Sequence, residues 1–151
     1  MLDSRRPKWA MTALVLAAAV TAAAMTATEA IQQRQKDMEG VRDGMMTLGA
    51  IAKKQQPFDA GVVQAAAAKI AGHLERAAEL FPENSGSGDV ETWAKPEIWS
   101  DRERFDATMA SSHQAAVDLQ SVTEAEAFPP ALGALGNTCK SCHDLYRLPK
   151  Q

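Results

Sequence analysis

From Thr28 onward the apolar positions recur at alternating steps of three and four, the spacing of helices that pack through one face. The first stripe is Ile31, Arg34, Met38, Val41, Met45, Leu48 and Ala52. It predicts a helix that Gln55, Gln56 and Pro57 end, because proline cannot continue the hydrogen-bond ladder. The second is Val63, Ala67, Ile70, Leu74, Ala77 and Phe81, stopped by Pro82 and the run Asn84-Ser85-Gly86-Ser87-Gly88. A long irregular connection follows, in which Trp93, Ile98 and Trp99 predict packing against the helices. Ser100 and Glu103 have the spacing of a capping box at the start of a third helix, with the stripe Phe105, Met109, Ser112, Ala116 and Leu119. A fourth starts near Pro130 and carries Leu132, Leu135, Cys139, Cys142 and Tyr146. No stretch alternates with period two, so no strand is predicted. The expected architecture is all-α, an antiparallel four-helix bundle over residues 28–151.

The residues ahead of that pattern differ in kind. Arg5, Arg6 and Lys8 precede an apolar run from Ala10 to Ala24, and Ala22 and Ala24 are the small residues that precede a cleavage site. This layout predicts a signal peptide over residues 1–24, cut after Ala24 or Ala27, and places the mature chain in the periplasm. The competing reading is an uncleaved anchor, which the short, alanine-rich run suits poorly. Cleavage after Ala24 removes three positive charges and one negative and moves the formal net charge from −3 to −5. An acidic chain without a basic stripe offers nothing to nucleic acid. Two cysteines near the C-terminus are too few for a disulfide scaffold or a four-thiolate metal site.

Those cysteines carry the chemistry. Cys139-Lys140-Ser141-Cys142-His143 reads C-x-x-C-H, the attachment sequence of c-type haem. On a helix the two sulfurs share a face and reach the two vinyl groups of one porphyrin, and the imidazole of His143 rises over the iron. A thioredoxin-like C-x-x-C wants a βαβ setting, and a zinc site wants a second ligand pair; neither is visible. The cofactor expected is one covalent haem c with its iron. No carboxylate dyad, nucleophile–base pair or phosphate loop accompanies it, so the chain reads as a haem protein and not as an enzyme. His73 and His113 read as surface or rim histidines, and the helical Asp and Glu residues as solvated.

The chain then resembles the cytochrome c′ family, four-helix bundles with C-x-x-C-H near the C-terminus. The residues that carry the resemblance are Arg34, Gln35 and Met38 on the first helix and Pro57-Phe58-Asp59 after it. Lys95-Pro96-Glu97-Ile98-Trp99-Ser100-Asp101 before the third helix and Cys139 through Arg147 complete it. The resemblance implies that Arg34 lies near the haem propionates, consistent with a seam cation that needs a partner. It implies that Met38 faces the iron, as sixth ligand in low-spin members or as a steric filler in high-spin ones. It implies that Arg147 stands on the proximal side, one turn after His143. Two functions follow: single-electron transfer between periplasmic donors and acceptors, or a five-coordinate iron that binds nitric oxide or carbon monoxide. The family also implies a possible homodimer through the first two helices. Gly40, Gly44 and Gly49 in the first helix each cost helix propensity; they either let haem or a partner helix approach the backbone closely or are loosely tolerated.

Overall fold

The structure, a computed structural model, describes residues 25–149; the expected signal peptide lies outside them. Five helices follow one another: α1 (Ala27–Ala52), α2 (Ala60–Ala78), α3 (Glu97–Ser100), α4 (Arg102–Leu119) and α5 (Phe128–Tyr146). The four long ones form the expected bundle. Among the described residues there is no strand, only one antiparallel bridge between Ala94 and Arg147. No described helix is long and apolar enough to cross a membrane.

The termini follow local chemistry. Thr26 caps α1: its hydroxyl accepts from the Glu29 N–H at 3.2 Å while the Glu29 carboxylate accepts from the Thr26 N–H at 2.8 Å. The side chain of Asp59 caps α2, accepting from the Val62 N–H at 2.9 Å. The capping box expected at Ser100 is absent. Ser100 ends the short turn of α3, which leaves Asp101 as the residue before α4, without a side-chain capping bond. Pro96 starts that extra turn, so Ser100 is already helical and lacks the extended backbone an N-cap needs. Helix α5 starts two residues earlier than expected, and Pro129 and Pro130 occupy its first turn, where a missing N–H costs nothing.

Contacts at the helix ends give the direction of each pair. Asp37, early in α1, meets His73 and Arg76, late in α2. Gln64, early in α2, donates to the Val122 carbonyl beyond the end of α4. Phe105, early in α4, packs edge-on against Tyr146 at the end of α5, with ring centres 5.2 Å apart. Each neighbouring pair is therefore antiparallel. Helix α1 packs closely on α2, α2 on α4, and α4 on α5, whereas α1 and α5 meet only sparsely.

The buried face of α1 is rotated from the expected stripe. Ala30, Ile31, Arg34, Asp37, Val41, Gly44, Leu48 and Ile51 are buried, while Met38 and Met45 lie half-buried on its flank and Ala52 is exposed. The cause is at the crossing with α2. A Cβ on Gly44 would come within 2.5 Å of Ile70, and one on Gly40 would overlap the His73 ring, so these glycines let α2 lie directly on the α1 backbone. Gly49 has nothing within 4 Å of such a Cβ and serves no approach.

Candidate haem site

The end of α5 brings the motif together on one element. Cys139 and Cys142 are half-buried against the core, and both remain free thiols. Burial raises the Cys139 pKa, against a lowering bond to Thr138. Burial, then the neighbouring Cys139, pushes Cys142 up to about 11. Burial thus keeps both as thiols at neutral pH. His143 reaches the surface at a hollow of about 350 Å³ bordered by Lys95, Asp144, Arg147 and Leu148. The protein around its ring lowers the His143 pKa, Arg147 lowers it further, and Asp144 opposes them. A neutral imidazole, the form that binds a metal, is thereby favoured.

The other predicted residues lie toward the same end of the bundle. Met38 is half-buried against the core. Successive α1 residues turn by about 100°, so Met38 lies about 100° from Asp37 and Met45 about 100° from Gly44, while Gly40, which also faces α2, lies nearly opposite them. That flank is turned away from the face that packs on α2. On α5, Gly136 stands two turns before His143 on the same face, and a Cβ there would meet nothing within 4 Å. Arg147 lies over the Trp93 ring, 5.0 Å from its centre. Around it the chain is tied down: the Leu148 N–H donates to the Trp93 carbonyl at 2.7 Å and the Lys95 N–H to the Tyr146 carbonyl at 3.0 Å.

Arg34 is only 4% exposed. Its Nη1 donates to the Leu80 carbonyl at 3.3 Å and the Ser85 hydroxyl at 2.9 Å, its Nη2 to the Ser85 carbonyl at 2.8 Å and the Thr92 hydroxyl at 2.7 Å. Its guanidinium carbon also sits 4.8 Å from the Phe81 ring centre. Burial lowers its pKa to about 10, so it stays charged at neutral pH. The partners found for this seam cation are thus the segment between α2 and α3.

Two features were not legible in the sequence. Asp37, expected on a solvated face, is 2% exposed. It accepts from His73 Nδ1 at 2.8 Å, Arg76 Nε at 3.1 Å and Gln33 Nε2 at 3.1 Å. Burial alone would raise its pKa, but the bonds from His73, Gln33 and Arg76 and the Arg76 charge hold it below the usual carboxylate value. His73 accordingly does more than sit at the rim: its ring rests on Gly40 and joins a buried ion pair. Helical spacing put Asp37 one position off the expected stripe, and nothing in the pattern reported the space over Gly40. The second feature is Tyr146, whose buried hydroxyl has no hydrogen-bond partner. An unsatisfied buried hydroxyl costs roughly 1–3 kcal/mol, which a bound group or water beside it would recover.

The donor set suits a haem better than a bare ion. Among the described residues no three His, Cys, Asp or Glu side chains gather to hold a metal. A porphyrin brings its own four nitrogens and needs from the protein only the two thiols and one imidazole, which Cys139, Cys142 and His143 supply within one helix. The cytochrome c′ family model matches residues 29–147.

The chain belongs to the cytochrome c′ family.

It is therefore a haem protein of that family. It is similar to a cytochrome c′ of Rhodopseudomonas palustris, 36% identical over 84% of this chain and 87% of the relative. It is also similar to a cytochrome c-556 of Agrobacterium fabrum, 32% identical over 93% of this chain and 95% of the relative. Among solved cytochromes c′, the nitric oxide complex of an L16I mutant from Alcaligenes xylosoxidans superposes with a TM-score of 0.70. That match is 26% identical and covers 82% of this chain and 98% of the other. The family's haem is covalent haem c with its iron.

Proposed function

We propose that this chain carries one haem c, joined through thioethers at Cys139 and Cys142, and passes single electrons between periplasmic donors and acceptors. His143 would supply the imidazole that holds the iron, and Met38 would face it from α1. The observation that supports this is the uneven packing of the bundle. Among the described residues, the adjacent pair of long helices that meets sparsely is α1 and α5, the two that bear Met38 and the C-x-x-C-H motif. The bound haem supplies a metal centre that exchanges one electron. The protein's part is to keep the surroundings fixed and apolar, which limits reorganisation and tunes the potential. A thioether ligand at Met38 raises that potential. Arg147 adds positive charge on the His143 side. Arg34 directs its charge toward a propionate while its Nη1 and Nη2 hold the α2–α3 segment.

The relative solved with nitric oxide supports a second reading, in which Met38 only fills the space and the iron takes nitric oxide or carbon monoxide. For the leader, cleavage after Ala24 keeps Thr26 and its capping box, whereas cleavage after Ala27 would discard both.

Absorption spectra of the protein, exported alongside a cytochrome-maturation system, test the proposal. Electron transfer predicts a low-spin spectrum with a methionine-to-iron band that Met38→Ala removes. A high-spin ferrous form that responds to carbon monoxide supports the second reading. Haem that survives denaturation in the wild type, and is lost in the Cys139→Ala/Cys142→Ala double variant, confirms the attachment. A colourless product refutes both readings.

A further inference from the structure

The α1–α2 crossing holds an ionic cluster that electron transfer does not use. Asp37 is adjacent in sequence to Met38, and its carboxylate is buried between α1 and α2. Its Oδ1 receives His73 Nδ1 at 2.8 Å and both Nε and Nη2 of Arg76, at 3.1 and 3.0 Å, and its Oδ2 receives Gln33. Arg76 Nη2 also lies 2.7 Å from His73 Nδ1. With a proton on Nδ1 the ring donates to Asp37; without it the ring accepts from Arg76. One strong bond persists in either state.

The cluster has a steric counterpart. His73 can reach Asp37 only because Gly40, three residues along α1, has no side chain where the ring lies. Gly44, one turn further, receives Ile70 in the same manner. These contacts fix the rotation of α1 about its own axis. A charge-assisted bond prevents slippage in one sense, and the rings and methyls over the two glycines prevent it in the other. Met38 projects about 100° round the helix from Asp37, so whatever fixes Asp37 fixes the direction of the Met38 thioether. At a side-chain reach of several ångströms, a rotation of about 20°, the drift between a 3.5- and a 3.6-residue repeat over one heptad, moves the sulfur by about 2 Å.

We infer that Asp37, held by His73 over Gly40, is the positioning residue that aims Met38 at the haem iron and sets how open the distal side is to a diatomic ligand. This rests on the proposed placement of Met38, but it predicts a coupling that the placement alone does not. Whether the thioether ligates or fills, loosening the clamp lets the methionine swing away and speeds ligand entry.

The test is the rate of carbon monoxide binding to the ferrous haem-loaded protein, measured by stopped flow or flash photolysis. The variants are Asp37→Asn, His73→Asn and Gly40→Ala, each alone and combined with Met38→Ala. Far-ultraviolet circular dichroism and haem content, compared with the wild type, select folded protein, and any one of the three clamp variants suffices. The expected result is a rate at least tenfold above wild type for each clamp variant, with a loss of low-spin character if Met38 ligates. In the Met38→Ala background the clamp variants should add less than twofold, because the residue they act through is gone. If Met38→Ala accelerates binding and the clamp variants do not, this inference fails and the placement of Met38 stands. If the clamp variants accelerate binding equally in both backgrounds, Asp37 acts as general structure and the inference fails. If Met38→Ala leaves the rate unchanged, the placement fails and takes the inference with it.

Discussion

Helix α1 has two sides that are built by opposite rules. Toward α2 it is closed: Gly40 and Gly44 bring the backbones together, Asp37 is ion-paired, and Arg34 ties down the segment that follows α2. Toward α5 it is sparsely packed, and half-buried Met38 and Met45 lie off the face that meets α2. The closed side is complete in protein atoms alone. In the function proposed above, the sparse side is the one that takes the haem held by the C-x-x-C-H motif of α5.

The comparison breaks most severely at Arg34. In Arg34→Met the Leu80 and Ser85 carbonyls and the Ser85 hydroxyl lose their buried donor, at about 1–3 kcal/mol for each group left unsatisfied. Urea unfolding of the haem-loaded protein should show a loss of at least about 3 kcal/mol by that reckoning. A loss under 1 kcal/mol would mean that this segment is not part of the closed side.

A smaller effect of definite sign is expected at Gly44. Alanine is the better helix former by about 1 kcal/mol, yet its Cβ would press on Ile70, and overpacking a fitted core costs about 1–3 kcal/mol. Gly44→Ala should therefore destabilise. Stabilisation would show that the crossing is slack.

Gly49→Ala sharpens the comparison with the smallest change. With nothing near its Cβ, only the propensity gain of up to about 1 kcal/mol remains, and the midpoint should rise. Opposite signs for two glycines five residues apart in one helix would isolate close approach as the reason for the first.

The family resemblance was legible because it is written in covalent chemistry at short range. C-x-x-C-H places two sulfurs and an imidazole by helix geometry alone, and no tertiary contact is needed to recognise it. The four apolar stripes were equally local, since Leu48, Ile70, Phe105 and Leu135 are buried where the spacing put them. The stripe of α1 was read one position off at Met38 and Met45 because glycine is silent in an apolar pattern. Gly44 is buried as the floor beneath Ile70, a role that has no hydropathy. Ser100 misled for a related reason: a capping motif states a preference that the neighbouring turn from Pro96 overrode.

By itself the sequence determined the helical period and the C-x-x-C-H pentapeptide of a haem-protein family, both of which depend on residues within a few positions of one another. Only the tertiary structure decided which side of α1 is sealed by α2 and which is sparsely packed. It also decided that an aspartate and a histidine, 36 residues apart, form a bond across the sealed side. Such pairings depend on how closely two backbones approach, and that distance is set by the whole bundle rather than by any one segment of it.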